Sequence, residues 1–170
     1  MFLKSISGEI LYEGPFKTAR RCIEAAVREK VNLSEANLRG VNLRYARIDE
    51  ARLHGACLWG ADLTHADCAG ACMTQTDMRA TTLKDACLAE SDFSDADFRG
   101  AYFENTIIRA GIFDRARFSC PSVFSCDWEE AGSLRAAIYW HLGEIACALP
   151  IHLPLVRPAV TLPVSCGHFA

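Results

Sequence analysis

Between Val31 and Glu130 the hydrophobic pattern repeats every five residues. A large apolar side chain stands third in each group, as at Leu33, Leu38, Leu43, Ile48, Leu53, Leu58 and Leu63, and on through Phe93, Phe98, Phe103, Ile108, Phe113, Phe118, Val123 and Trp128. The first residue of each group is small, most often alanine, as at Ala36, Ala46, Ala56, Ala66, Ala86, Ala96 and Ala116. The hundred residues from 31 to 130 divide into twenty such pentads without an insertion. A period of five matches neither the helix, at about 3.6 residues, nor the strand, at about two.

A five-residue period keeps one direction inward if each pentad turns the chain by about a quarter of a circle. Four pentads then close one coil, with the third residues facing the axis and small first residues sharing the narrow interior at close-packed density. Stacked coils pair their backbones along the axis at about 4.8 Å, which makes a solenoid whose units contact only their neighbours. Residues twenty apart stack. The inward columns are Leu33, Leu53, Met73, Phe93 and Phe113 on side 1, and Leu38, Leu58, Met78, Phe98 and Phe118 on side 2. Side 3 has Leu43, Leu63, Leu83, Phe103 and Val123, and side 4 has Ile48, Cys68, Leu88, Ile108 and Trp128. Leucine gives way to phenylalanine at about the fourth coil on three of the four sides, predicting a phenylalanine-rich interior towards the C-terminus.

The recurring unit, as in Ala36-Asn37-Leu38, Ala61-Asp62-Leu63 and Ala96-Asp97-Phe98, resembles the A(D/N)LXX motif of the pentapeptide-repeat family. The resemblance implies an all-β solenoid, a right-handed quadrilateral β-helix of about five coils. It also implies a non-catalytic, protein-binding role. Quinolone-resistance members of that family resemble a DNA duplex and occupy the DNA site of type II topoisomerases such as DNA gyrase. DNA mimicry directed at a DNA-handling enzyme is therefore the specific expectation, with a plain interaction scaffold as the alternative. Second-position Asn32, Asn37, Asn42, Asp62, Asp67, Asp77, Asp92 and Asp97 are expected to bond backbone groups at the corners.

Outside the repeat the pattern changes. Residues 1–30 read as an N-terminal cap: two short strands around Ser7-Gly8, then, after Gly14-Pro15, a helix with Thr18 as its N-cap running to about Lys30. Residues 131–149 read as a capping and dimerisation helix from about Leu134 to Ala148. Its apolar face is Leu134, Ile138, Leu142 and Ile145, widened by Tyr139 and Trp140. A homodimer through this helix follows from the family resemblance. Residues 150–170, with Pro150, Pro154, Pro158 and Pro163, read as an extended tail.

Charge adds one feature. The net charge is −3, but residues 31–130 carry ten Lys and Arg against sixteen Asp and Glu, so the repeat stands at −6. Side 4 holds Asp49, Glu50, Asp67, Glu90, Asp127, Glu129 and Glu130 against Arg47 and Arg109, and is the candidate partner-binding surface. On side 2, Trp59 lies in a column with Arg39, Arg79 and Arg99, an arrangement suited to cation–π stacking. The five histidines are scattered, no nucleophile is paired with a base, and no glycine loop cradles a phosphate, so neither catalysis nor a cofactor is expected. The nine cysteines show no ligand spacing, so no metal is expected; Cys68 and Cys126 fall at inward positions, and Cys57, Cys72 and Cys87 point outward on three sides. With no signal peptide and no apolar run of about twenty residues, the expected compartment is the reducing cytoplasm.

Overall fold

The computed structural model describes residues 1–119, 121–139 and 147–148. Parallel bridges join residues twenty apart in four separate columns, beginning Asn32 to Arg52, Asn37 to Cys57, Asn42 to Asp62 and Arg47 to Asp67. Four columns of five residues make a four-sided coil. Every third-position residue from Leu33 to Phe118 is buried, and so are the first-position alanines.

Backbone hydrogen bonding accounts for the motif residue by residue. The first N–H of a pentad closes a turn, as from Ala36 to the Leu33 carbonyl at 3.1 Å. The second donates to the coil before it, as from Cys57 to Ala36 at 2.9 Å, and the third to the coil after it, as from Leu33 to Arg52 at 2.9 Å. The fifth also donates forward, as from Glu35 to His54 at 2.7 Å. Only the fourth N–H finds no partner in this backbone ladder, and where the second residue is Asn or Asp its side chain takes it. Asn32 Oδ1 accepts from Ser34 N at 3.1 Å, Asp62 Oδ1 from Thr64 N at 3.0 Å, and Asp97 Oδ1 from Arg99 N at 3.1 Å. An acceptor on a short stem is what that place requires.

All fifth positions from 35 to 115 have positive φ: twelve non-glycine residues from Glu35 to Arg115, and Gly40, Gly55, Gly60, Gly70 and Gly100. A left-handed third residue, with none at the second, is the type II turn pattern. Glycine takes that conformation without steric cost, whereas the twelve others are held there by the ladder on both sides.

The interior follows the expected gradient. Phe93 stacks on Phe113 at 5.3 Å between ring centroids, and Phe98 on Phe118 at 5.2 Å with the rings 4° from parallel. Trp128 meets Phe113 and Phe118 edge-on, at 5.1 and 5.3 Å.

At the N-terminus β1 (Phe2–Lys4) pairs antiparallel with β2 (Ile10–Glu13), and helix α1 (Ala19–Arg28) follows, with Thr18 Oγ1 accepting from Arg21 N. These elements meet the groups that the first coil would leave unpaired. Lys4 O accepts from Asn37 N, and Glu35 O accepts from Ile6 N, both at 2.8 Å. From α1, Arg20 donates to Arg44 O at 3.0 Å, and Glu24 accepts from Arg47 N at 3.2 Å. Cys22, Ile23 and Ala26 lie fully buried against the coil interior.

The C-terminal side departs from the sequence reading. Where a helix from Leu134 is predicted, the solenoid continues: Ser133 bridges Ile112, and β5 (Ile138–Tyr139) pairs parallel with β4 (Arg117–Phe118), which pairs with β3 (Asp97–Phe98). The spacing across these last bridges is 21, because the turn after Trp128 holds three residues, Glu129, Glu130 and Ala131, in place of two. A 3-10 turn at Trp128–Glu130, capped by Asp127, absorbs the extra one. Leu134 and Tyr139 thus take third positions, and Ala137 a buried first position. Spacings of four and five both connect Leu134, Ile138 and Tyr139, so the stripe read as helical is also a pentad pattern. The open edge of the coil beneath decides between them, a tertiary override of local propensity. Strand β6 (Cys147–Ala148) then returns antiparallel on β5, again where helix was expected. Trp140, Leu142 and Ile145, and the proline-rich segment 150–170, lie outside the described residues.

Candidate functional site

The outer walls are built from ladders of paired side chains. On side 2, Arg79 is held by Asp77 through two bonds of 2.8 Å, Arg99 is held by Asp97, and the Arg39 guanidinium lies 4.5 Å over the Trp59 ring. On side 1, Arg115 binds Asp95 through two bonds of 2.7 Å. Side 3 carries Arg44 on Asp62 and Lys84 on Glu104, at 3.2 and 2.6 Å. The corner beyond holds a ladder that sequence reading missed. Tyr45 stacks on His65 at 4.8 Å, His65 faces Asp85 at 3.7 Å, and Asn105 donates to Asp85 at 3.0 Å. Its signal was there to find, since the four are fifth-position residues spaced by twenty.

These pairings shift the carboxyl groups. Arg79 holds Asp77 below the usual carboxylate range, Arg115 does the same for Asp95, and Lys84 with Tyr102 for Glu104. At Asp62 burial pushes upward but is outweighed by hydrogen bonds from Thr64 and Arg44, so its pKa also falls. A carboxyl with a lowered folded-state pKa contributes stability above its unfolded pKa, near 4, and that stability is lost as pH falls through the folded value. Thermal midpoints are therefore expected to hold level from pH 7 to pH 5 and to fall below pH 4. The fall should be shallower in Asp77→Asn, and a midpoint as high at pH 2.5 as at pH 6 would contradict the ladder's role.

The acidic set on side 4 is brought to one wall but not into one cluster. Asp49 and Glu50 line a cleft of about 450 Å³ between α1 and the first coil, together with Arg28, Lys30, Arg47 and Arg52. Asp67 and Asp127 each accept a backbone N–H two residues on, and so serve the turn. Glu90, Glu129 and Glu130 are exposed towards the other end. Between the two groups the wall is largely apolar, with Ala69, Cys87, Ile107 and Ala110 beside the exposed Arg109. Ile107 and Ile112 are the residues that sequence reading overlooked: both stand at second positions, 51% and 37% exposed. Of the proposed dimer face, Leu134 packs against the interior and Tyr139 is buried, so neither belongs to an outward helical stripe.

The cysteines divide largely as their register predicts: Cys68 is buried and its thiol is pushed well up by burial, Cys126 packs half-buried against the core, and Cys57, Cys72 and Cys87 lie at or near the surface as free thiols. Among the described residues no group of three or more His, Cys, Asp or Glu is placed to hold a metal, and no helix is long and apolar enough to cross a membrane.

Walls of five-residue sides, stacked every twenty residues around a filled interior, define a four-sided β-solenoid. The family described as pentapeptide repeats matches in eight copies, over residues 29–60, 58–79 and 76–119, so the chain belongs to the pentapeptide-repeat family, whose members form a right-handed β-helix. Among solved structures, a pentapeptide repeat protein of the Arabidopsis thaliana thylakoid lumen is similar at 24% identity and a TM-score of 0.42, with 62% of this chain and 72% of that one covered. A pentapeptide repeat protein from Nostoc Pcc 7120 is 25% identical over 65% of this chain and 87% of its own, with a TM-score of 0.24. QnrB1, a plasmid-mediated fluoroquinolone resistance protein, is 18% identical over 60% and 62%, with a TM-score of 0.29. Among curated proteins no sequence matches.

Proposed function

We propose that this chain is a rigid, non-catalytic protein-binding scaffold of the cytoplasm, with side 4 as its working wall. The observation that supports this is the distribution of charge. Side 4 carries seven acids against two arginines, −5 of the −6 borne by the repeat, while the arginines of the other walls are largely held by neighbouring carboxylates. A predominantly acidic wall on a stiff prism selects partners of opposite sign and speeds their encounter.

The specific role is inhibition or shielding of a DNA-handling enzyme by mimicry of its substrate. Magnitude tempers it. Five coils at about 4.8 Å make a rod of about 24 Å, so −5 is about one charge per 5 Å, against one per ~1.7 Å in duplex DNA. The apolar break around Ile107 favours a second reading, a scaffold that binds protein without imitating DNA. Supercoiling by a type II topoisomerase separates the two. Under mimicry, micromolar protein inhibits, salt weakens the inhibition, and Glu90→Lys with Glu130→Lys abolishes it. No inhibition at that concentration removes mimicry and leaves the scaffold.

A further inference from the structure

The corner between sides 4 and 1 departs from the repeat in a way that the fold itself does not call for. Where a second position holds Asn or Asp, its side chain accepts the fourth N–H of its own pentad; other second positions between residues 31 and 130 hold Arg, Cys, Thr, Ser or Tyr, and only the two pentads of coils four and five that flank this corner carry an aliphatic residue there, Ile107 and Ile112. Among the described residues nothing else accepts the N–H of Arg109 or Asp114. Both isoleucines face outward, so they gain neither the bond nor the burial. The exposed Ala110 stands between them at the corner, and Cys87 bridges Ile107 on the coil beneath.

Its rim is charged. The same corner edge carries Glu90 one coil below Ala110 and Glu130 one coil above, the latter fixed by the bond from Ala110 N to Glu130 O. Asp127 and Glu129 stand on the coil above Ile107, and Arg109 is the single cation among them. None of these four acids is in an ion pair among the described residues.

From this juxtaposition we infer that the corner Ile107–Ala110–Ile112 is the docking point for a basic, amphipathic protein segment, one that sets an aliphatic side chain between lysines or arginines. The inference rests on the scaffold reading and supplies the chemistry of the partner. Aliphatic contact at the centre with opposite charge at the rim is the usual anatomy of a protein interface. A nucleic acid is repelled by the rim, and a second copy of this corner would bring like charges together.

The test uses the full chain, labelled with ¹⁵N, and three synthetic dodecapeptides: one alternating Lys and Leu, one with every Leu replaced by Ser, and one with every Lys replaced by Glu. The Lys/Leu peptide is expected to shift amide signals of residues 87–92, 107–112 and 129–133 saturably, and the other two to bind at least tenfold more weakly. Ile107→Asn with Ile112→Asn restores the residue type that the repeat uses, so the variant keeps its fold, and it should weaken the Lys/Leu peptide at least tenfold. Glu90→Lys with Glu130→Lys should do the same and remove the salt dependence. Equal affinity of the Asn variant, or shifts gathered on side 2 or side 3, overturns the corner as the docking point while leaving the scaffold reading in place. Failure of the scaffold reading has its own sign: the Lys/Leu and Lys/Ser peptides bind alike, with shifts spread over all four sides, as for an unspecific polyanion.

Discussion

Phe98→Ala is expected to lower the stability of the folded chain by about 3–5 kcal/mol. Phe98 is fully buried, stacks on Phe118 and tilts against Phe93, Phe103 and Phe113. Removing its ring withdraws a member from each of these contacts at once. The ladder holds the backbone at a fixed rise, so the neighbouring coils cannot close on the space, and the cavity contribution adds to the lost transfer energy. For a domain of this size such a loss lowers the thermal midpoint by roughly 10 °C. Circular dichroism melts and urea titration would measure it. Phe98→Leu, which restores the side chain found at Leu38 and Leu58 in the same column, is expected to recover more than half. A loss below about 1 kcal/mol for the alanine variant would mean that the interior is not packed as a continuous stack.

How much of this was legible in the sequence depends on which interaction fixes each element. The inward columns were readable to the residue, because a period of five leaves no second way to place Leu33, Met73 or Phe113 out of water. The role of Asn32, Asp62 and Asp97 was readable in kind, and the structure adds the reason: the ladder offers the fourth N–H no backbone acceptor. The C-terminal helix failed because local pattern was weighed without the edge beneath it. Gly132 marks the continuation in retrospect. A Cβ there would stand 2.7 Å from Ala110 O, so the position needs glycine for close backbone approach. The acidic wall was legible as a column of charges but not as a surface, since composition does not tell which carboxylates are used by turns. Asp67 and Asp127 are so used, whereas Glu90 and Glu130 are not. The isoleucine corner is not legible from the motif, because Ile107 and Ile112 stand where the motif places Asn or Asp and their exposure becomes visible only in the fold.

Trp128→Ala is expected to detach the end of the solenoid without melting its beginning. Trp128 is the last third-position residue before the register slips, and it closes the interior over Phe103, Phe113 and Phe118 while its Nε1–H donates to Val123 O at 2.7 Å. It therefore joins the 3-10 turns of residues 121–130 to the stack, and the turn that absorbs Ala131 is folded around it. Truncating a buried tryptophan costs about 3–5 kcal/mol. In a solenoid whose units depend on their neighbours that cost falls on the adjacent coil first. Hydrogen exchange should then show protection lost at Phe113, Arg115 and Ile138, whose N–H groups bond across the last turn of the ladder, and retained at Leu53, Cys57 and Leu63. Trp128→Phe keeps an aromatic edge on Phe113 and loses the bond to Val123, so it should fray the same amides by about 1 kcal/mol only. Uniform loss of protection from Leu33 to Tyr139 in the alanine variant would show that the prism unfolds as one unit, and the end coil would then have no independent stability to lose.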